Sequence, residues 1–114
     1  MKQLIYHLAR QADLASAREL GAYLGSEADR ADGFLHFSTA AQIKESAAKH
    51  RAGETGLVLL AVDAGSLGDR LRWETSRGGA LFPHVYGAVD LTSIVRTAEL
   101  PLDASGLHRF PEWL

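Results

Sequence analysis

Three histidines, His7, His36 and His84, stand in short apolar runs, YHLA, GFLHFS and FPHVYG, where a sheet would ordinarily carry hydrocarbon. Imidazole titrates near neutrality, moves protons as general acid or base, and ligates metals through a neutral nitrogen. Rings sited on strands rather than in loops are therefore candidates for one shared pocket. The densest supply of further chemistry is the stretch LRWETSRGGALFPHVYG, with Trp73, Glu74, Arg77, His84 and Tyr86 around the Gly78-Gly79 pair. Adjacent glycines let backbone come close to a ligand, and the planar fork of Arg77 suits a phosphate or carboxylate. Trp73 or Tyr86 offers a ring face on which a base or sugar stacks. Each feature also has a plainer reading: packing histidines bonded to backbone, a flexible strand connection, a core tryptophan, and an exposed Glu74–Arg77 ion pair worth ~0–1 kcal/mol.

Other chemistries lack their signatures. No two histidines stand at the i, i+2 or i, i+4 spacing of single-sequence metal motifs, and no metal is expected. Ser38 and Ser76 have no G-x-S-x-G context, and neither a Walker loop nor G-x-G-x-x-G is present.

The 114 residues fit one domain spanning 1–114, long enough to bury an ordinary core. Twelve basic and fourteen acidic residues give a net charge of −2, which supplies no footprint for duplex DNA or for an anionic membrane. Cysteine is absent, excluding disulfides, thiol nucleophiles and cysteine-ligated zinc. The apolar runs fall far short of the ~20 residues of a membrane span, and Met1-Lys2-Gln3 opens no signal peptide. The chain reads as cytoplasmic. Oligomeric state and physiological partner leave no signature.

The elements that must position these side chains alternate strand and helix twice, then turn to strands. Gln3 to Ala9 reads as a first strand with His7 on the face of Ile5 and Ala9. Asp13 is placed to cap a helix from Leu14, with Leu14, Ala17, Leu20 and Leu24 at helical spacing. Gly25 to Gly33 is polar and reads as a surface loop. A second strand, Gly33 to Ser38, puts Phe34, His36 and Ser38 on one face. Thr39 and Gln42 then form a capping box for a helix over Ala40 to Arg51, with His50 continuing its apolar side as a packing histidine. At Ser38-Thr39 free N–H groups and the positive helix end favour an anion. Gly56 to Asp63 is a central strand buried on both faces. Arg70 to Thr75 alternates as a strand with one wet face, and Phe82 to Val89 follows, Pro83 marking an edge or bulge. After a turn, Ile94 to Leu100 is the last strand, and Phe110 and Trp113 clamp a tail on which His108 reads as surface. The sum is an α+β domain with a bent mixed or antiparallel split sheet and two main helices.

Four phrases, YHLA, DGFLHFST, LVLLAVD and LRWETSRGGALFPHVYG, resemble the family catalogued as domain of unknown function 952 over nearly the whole chain. More distantly, the chain is similar to the ADP-ribosyltransferase-like fold, which includes the RNA 2'-phosphotransferases and binds NAD in a cleft of a split sheet. There a first-strand histidine, here His7, precedes a strand with an aromatic and a Ser or Thr, here Phe34 to Thr39. His84 stands where many members carry glutamate, a departure that counts against ordinary ADP-ribosyl transfer unless Glu74 substitutes. The resemblance implies a pocket lined by His7, His36, Ser38, Trp73, Glu74, Arg77, His84 and Tyr86. Its ligand would be NAD as a substrate, another phosphorylated nucleotide-like molecule, or a 2'-phosphorylated RNA end. His7, His84 and Glu74 would be catalytic; His36, Ser38, Thr39, Trp73, Arg77 and Tyr86 would bind ligand. The alternatives are a binding or interaction module that has kept the fold and lost the reaction, and a metal-assisted hydrolase.

Overall fold

The most apolar run, LVLLAVD, forms strand β4 (Leu57–Asp63), buried from Leu57 to Val62. β4 pairs antiparallel with β1 (Leu4–Arg10) on one side and β8 (Ile94–Glu99) on the other. Alternation divides its side chains between two cores. Val58, Leu60 and Val62 face the larger, with Ile5, Ala9, Tyr23, Leu35 and Val85. Leu57, Leu59 and Ala61 face the smaller, with Tyr6, Ile43 and Leu100, over which Phe110 and Trp113 of the tail pack as the sequence suggested. Burying each such aliphatic side chain is worth ~1.5–3 kcal/mol, and this spine holds the rest in place.

The structure is a computed structural model that describes residues 3–114 apart from the side chain of Arg77; Met1 and Lys2 lie outside the described residues. The α+β class stands, but the single bent sheet resolves into three. Besides β1-β4-β8 there is a sheet β3-β6-β5, built from β3 (Leu35–His36), β6 (Leu81–Val85) and β5 (Leu71–Thr75). A two-stranded ribbon pairs β2 (Ala22–Tyr23) with β7 (Val89–Asp90). Among the described residues every ladder is antiparallel, so the mixed option falls away.

The helices depart further from the sequence reading. Helix α1 (Gln11–Leu20) begins three residues before Leu14; Arg10 is its uncapped N-cap, and Asp13 sits in the first turn near the positive end of the dipole. Only Leu14 and Ala17 are buried, and Leu20 and Leu24 lie exposed. The expected loop after Gly25 is instead helix α2 (Glu27–Asp32), closed at its start by a Ser26–Asp29 capping box and at its end by Gly33. Its polar composition hid it. Helix α3 (Ala40–His50) follows the Thr39–Gln42 capping box as read. With α2 counted, the two main helices of the sequence reading become three.

Pro83 lies in the central strand of its sheet, not at an edge. The Phe37 N–H donates to the Pro83 carbonyl at 3.0 Å, so the missing proline donor costs one bond at the end of the short β3 ladder. His108 is buried rather than surface, its Nε2 bonding the Glu54 carbonyl at 2.7 Å. His50, read as a packing histidine, is exposed on α3.

Gly25 presses against the elements that frame the site. A Cβ there would stand 2.1 Å from Leu35 Cδ2 and 3.0 Å from Asp29 Cβ, whereas one at Gly21, with the same φ of +84°, would meet nothing within 4 Å. Gly21→Ala is expected to cost about 1 kcal/mol from its positive φ, and Gly25→Ala about 1–3 kcal/mol more from overpacking. Urea denaturation of the two variants measures the difference.

Candidate functional site

The site begins where two sheets part. Tyr6 of β1 and Ser38, just past β3, exchange a pair of backbone bonds of 2.8 Å each. One residue on, His7 stands in the opening. Its Nδ1 lies 2.6 Å from the His36 carbonyl and its Nε2 2.7 Å from the Tyr23 hydroxyl. A carbonyl only accepts, so Nδ1–H donates to His36, and Nε2 of the neutral ring accepts the Tyr23 proton. His7 is buried and Phe37 packs on its ring at 4.9 Å.

Asp29, buried on α2, gathers the next group. Its Oδ1 accepts from the His36 ring Nδ1 at 2.7 Å and from the His36 backbone N–H at 3.3 Å. Its Oδ2 accepts from the Ser26 N–H at 2.9 Å and the Ser26 hydroxyl at 3.0 Å. Asp32, one turn on, lies 3.2 Å from His36 Nε2. Thus both nitrogens of His36 face carboxylates.

The third group lies on the sheet β3-β6-β5. His36 is opposite His84 in register, and His84 is opposite Arg72. Glu74 Oε1 accepts from His84 Nδ1 at 2.8 Å and from the Tyr86 hydroxyl at 2.7 Å. The His84 ring stacks on Phe34 at 4.3 Å and lies 5.9 Å from His36, and Arg72 covers Tyr86 at 4.9 Å. Among the described residues His84 Nε2 has no hydrogen-bond partner. A carboxylate on Nδ1 fixes the neutral ring with Nε2 deprotonated, the arrangement of a histidine that takes a proton from a bound group.

These groups border one cavity of about 270 Å³. β1 supplies His7 and Leu8 to it, α2 supplies Asp29 and Asp32, and the β3 segment supplies His36, Phe37 and Ser38. Ile43, Ser46, His50 and Arg51 come from one side and the end of α3, while Ser76, Phe82 and His84 come from the remaining sheet. Of the residues singled out in the sequence, His7, His36, Ser38 and His84 therefore meet. Glu74 and Tyr86 stand behind His84 rather than on the wall. Thr39 is occupied as the helix cap, accepting the Gln42 N–H at 3.2 Å. Trp73 is 39% exposed and, pairing with Pro83, lies on the opposite face of its strand from Glu74, so it cannot stack a ligand in this cavity. The side chain of Arg77 lies outside the described residues. Tyr23, Asp29, Ser46 and Arg51 were not anticipated. Asp29 had a readable signal, since Ser26-x-x-Asp29 has capping-box spacing ahead of a glycine stop.

Residues 8–97 match the family described as Protein of unknown function (DUF952). The chain belongs to the DUF952 family. It is similar to protein CC0527 from Caulobacter crescentus, being 46% identical to its crystal structure over 93% of each chain, with a TM-score of 0.89. Against the solution NMR structure of that protein the identity is 45%, covering 97% of this chain and 96% of that one, with a TM-score of 0.84. No curated protein matches it.

The electrostatics of this DUF952 cavity follow from burial. Burial pulls the pKa of His7 below its usual 6.5, the Asp29 charge opposing without prevailing. For Asp29, burial pushes the carboxyl up, but the His36 hydrogen bond, any charge on His7 and the Ser26 bonds outweigh it and hold the group well below the carboxylate range. The two signs run alike. Each group binds a proton more weakly folded than unfolded, so each contributes stability that falls as pH drops. For His7 the loss begins as pH falls below about 6.5; for Asp29 it begins below about 3.8. His7→Gln keeps one donor and one acceptor but cannot titrate. Its unfolding free energy is expected to vary less than wild type between about pH 7 and pH 5. An unchanged slope in urea denaturation across that range would show that His7 is not the group responsible.

Proposed function

We propose that the cavity binds a small phosphorylated, nucleotide-like ligand and acts on it by group transfer. NAD and a 2'-phosphorylated RNA end are the ligands that the ADP-ribosyltransferase-like resemblance suggests. The observation carrying this reading is that imidazoles from β1, β3 and β6 border one cavity with two carboxylates and a guanidinium. A volume of about 270 Å³ lies just below the ~300–1,000 Å³ of ordinary ligand sites. It suits a mononucleotide-sized part, the remainder of any dinucleotide lying outside.

The roles divide by which atoms remain open. His84, oriented by Glu74, is the proton-transfer group through Nε2, and the carboxylate anticipated at its position acts through the ring. His36 has Nδ1 on Asp29 and Nε2 against Asp32, so it borders the cavity as a positioning residue. His7 has both nitrogens engaged and is a positioning residue rather than a proton shuttle. A cytoplasmic site of action belongs to the same reading. Metal-assisted hydrolysis has less support, since among the described residues no three His, Cys, Asp or Glu side chains group to hold a metal ion. A binding module without turnover is the second reading; the internal pairing of His7 and Asp29 favours it, because much of the polar set already has partners.

Isothermal titration calorimetry with NAD, ADP-ribose, nicotinamide mononucleotide and a 2'-phosphorylated oligoribonucleotide tests the proposal. At least one is expected to bind with sub-millimolar affinity, as ~4 kcal/mol or more of net interaction gives, and silence from all four removes it. Where a ligand binds and is turned over, His84→Gln is expected to lower kcat by about 10²–10⁴-fold with little change in affinity. Binding without turnover by the wild type selects the second reading.

A further inference from the structure

We infer that Arg51, which caps the C-terminal end of α3, is the anion-recognition residue of the cavity and that the group it receives is a phosphate. The inference rests on the ligand-binding reading above and adds to it the point at which the phosphate sits.

The polar groups of the cavity differ in how much hydrogen-bonding capacity they have left. Asp29 has two oxygens and accepts four hydrogen bonds, two from Ser26 and two from His36, so its lone pairs are filled. Asp32 faces the second nitrogen of His36 at 3.2 Å. The acidic wall is thus committed to one imidazole and offers a ligand cation little. Arg51 is the opposite case. Its Nε and Nη2 donate to the two Glu54 carboxylate oxygens at 2.8 and 3.1 Å, a paired clamp that fixes the plane of the guanidinium. Five N–H donors less these two leave three, and Arg51 borders the cavity.

Glu54 does not cancel the charge on that wall. Its Oε2 also lies 3.4 Å from Arg10 Nε, so one carboxylate serves two guanidiniums, and these three groups together carry a net positive charge, with the Asp29 charge also acting on Arg51. The same cavity supplies hydroxyls. Ser38 and Ser46, 3.3 Å apart, both border the cavity, and a hydroxyl can donate to a phosphate oxygen when it rotates away from its neighbour. A guanidinium held in plane with donors to spare, in a cavity that also offers turnable hydroxyls, matches a phosphate better than any neutral group.

The test is a titration of the whole protein, ¹⁵N-labelled, with inorganic phosphate, with nicotinamide mononucleotide and with the corresponding phosphate-free riboside, followed by NMR. The Arg51 Nε–H resonance and the Ser46 amide are expected to shift saturably with phosphate and with the mononucleotide. Arg51→Gln is expected to weaken both by about tenfold or more, the scale of one lost charge-assisted contact. Arg51→Lys keeps the charge without the clamp, so it remains informative if the glutamine variant fails to fold, and it is expected to weaken binding by a smaller factor. Lys44→Gln, on the exposed side of α3, should titrate like wild type. Phosphate that leaves Arg51 unmoved, or arginine variants that bind it as wild type does, overturn the inference. The riboside binding as tightly as the mononucleotide would overturn it too, while leaving the cavity a ligand site. Phosphate bound at Arg51 with no nucleotide bound anywhere would uphold the inference and count against the wider proposal.

Discussion

A carboxylate removed from water is tolerated only where its lone pairs are filled, and that constraint, applied to Asp29, organises this end of the molecule. Two of its bonds come from Ser26, which obliges the chain to begin a helix there. The other two come from the backbone and ring of His36, which obliges β3 to pass alongside that helix. Gly25 completes the arrangement, because any side chain at that position would strike Leu35 and Asp29. A polar eight-residue stretch that buries almost no hydrocarbon is therefore held by electrostatics and capping rather than by hydrophobic area. Replacing Asp29 with an apolar group would remove the reason for α2 to be where it is.

His7 solves a related problem for the sheets. After Tyr6 and Ser38 exchange their bonds the pairing of β1 with β3 goes no further, which leaves the His36 carbonyl to a side chain. His7 donates to that carbonyl and in turn receives the Tyr23 proton, so the chain of bonds runs from β2 through β1 to β3. Donors and acceptors alternate along it without remainder, which is the condition under which a buried polar network stiffens a structure instead of weakening it. Burial reinforces the pattern by disfavouring a second proton on His7. The opening between sheets is thereby kept as a cavity with polar walls and does not collapse.

The sequence was most informative where one physical signal dominated. Six consecutive apolar residues in β4 admit little except a strand buried on both faces, and Thr39 with Gln42 announces α3 because the capping box is local chemistry. The three histidines drew notice for a similar reason, as polar rings in apolar runs. What escaped notice depended on partners distant in the chain. Asp29 and Tyr23 look like ordinary loop and helix residues until His36 and His7 come to them. Trp73 seemed a natural stacking group because of its neighbours in sequence, yet a strand sends adjacent side chains to opposite faces, and register with Pro83 puts it away from Glu74 and His84. Pro83 itself misled about edges, since the rule against proline in central strands is relaxed wherever the neighbouring ladder is only two residues long.

The α3 wall of the cavity is held at both ends by different means, and this bears on what it can recognise. At its start the helix is fixed by the Thr39–Gln42 box and by Gln42 Nε2 donating to the Leu81 carbonyl at 2.8 Å, which ties it to β6. At its end the tail takes over: His108 bonds the Glu54 carbonyl, the Gly53 N–H donates to Gly106, and Glu54 clamps Arg51. A long, flexible cation ordinarily loses much of the favourable energy of an ion pair to the entropy of being held still. Here that loss is met during folding, by contacts that the tail makes for its own packing. A guanidinium fixed in advance and a ring already oriented by Glu74 border the same cavity, so little of that wall is left to be ordered by anything entering it.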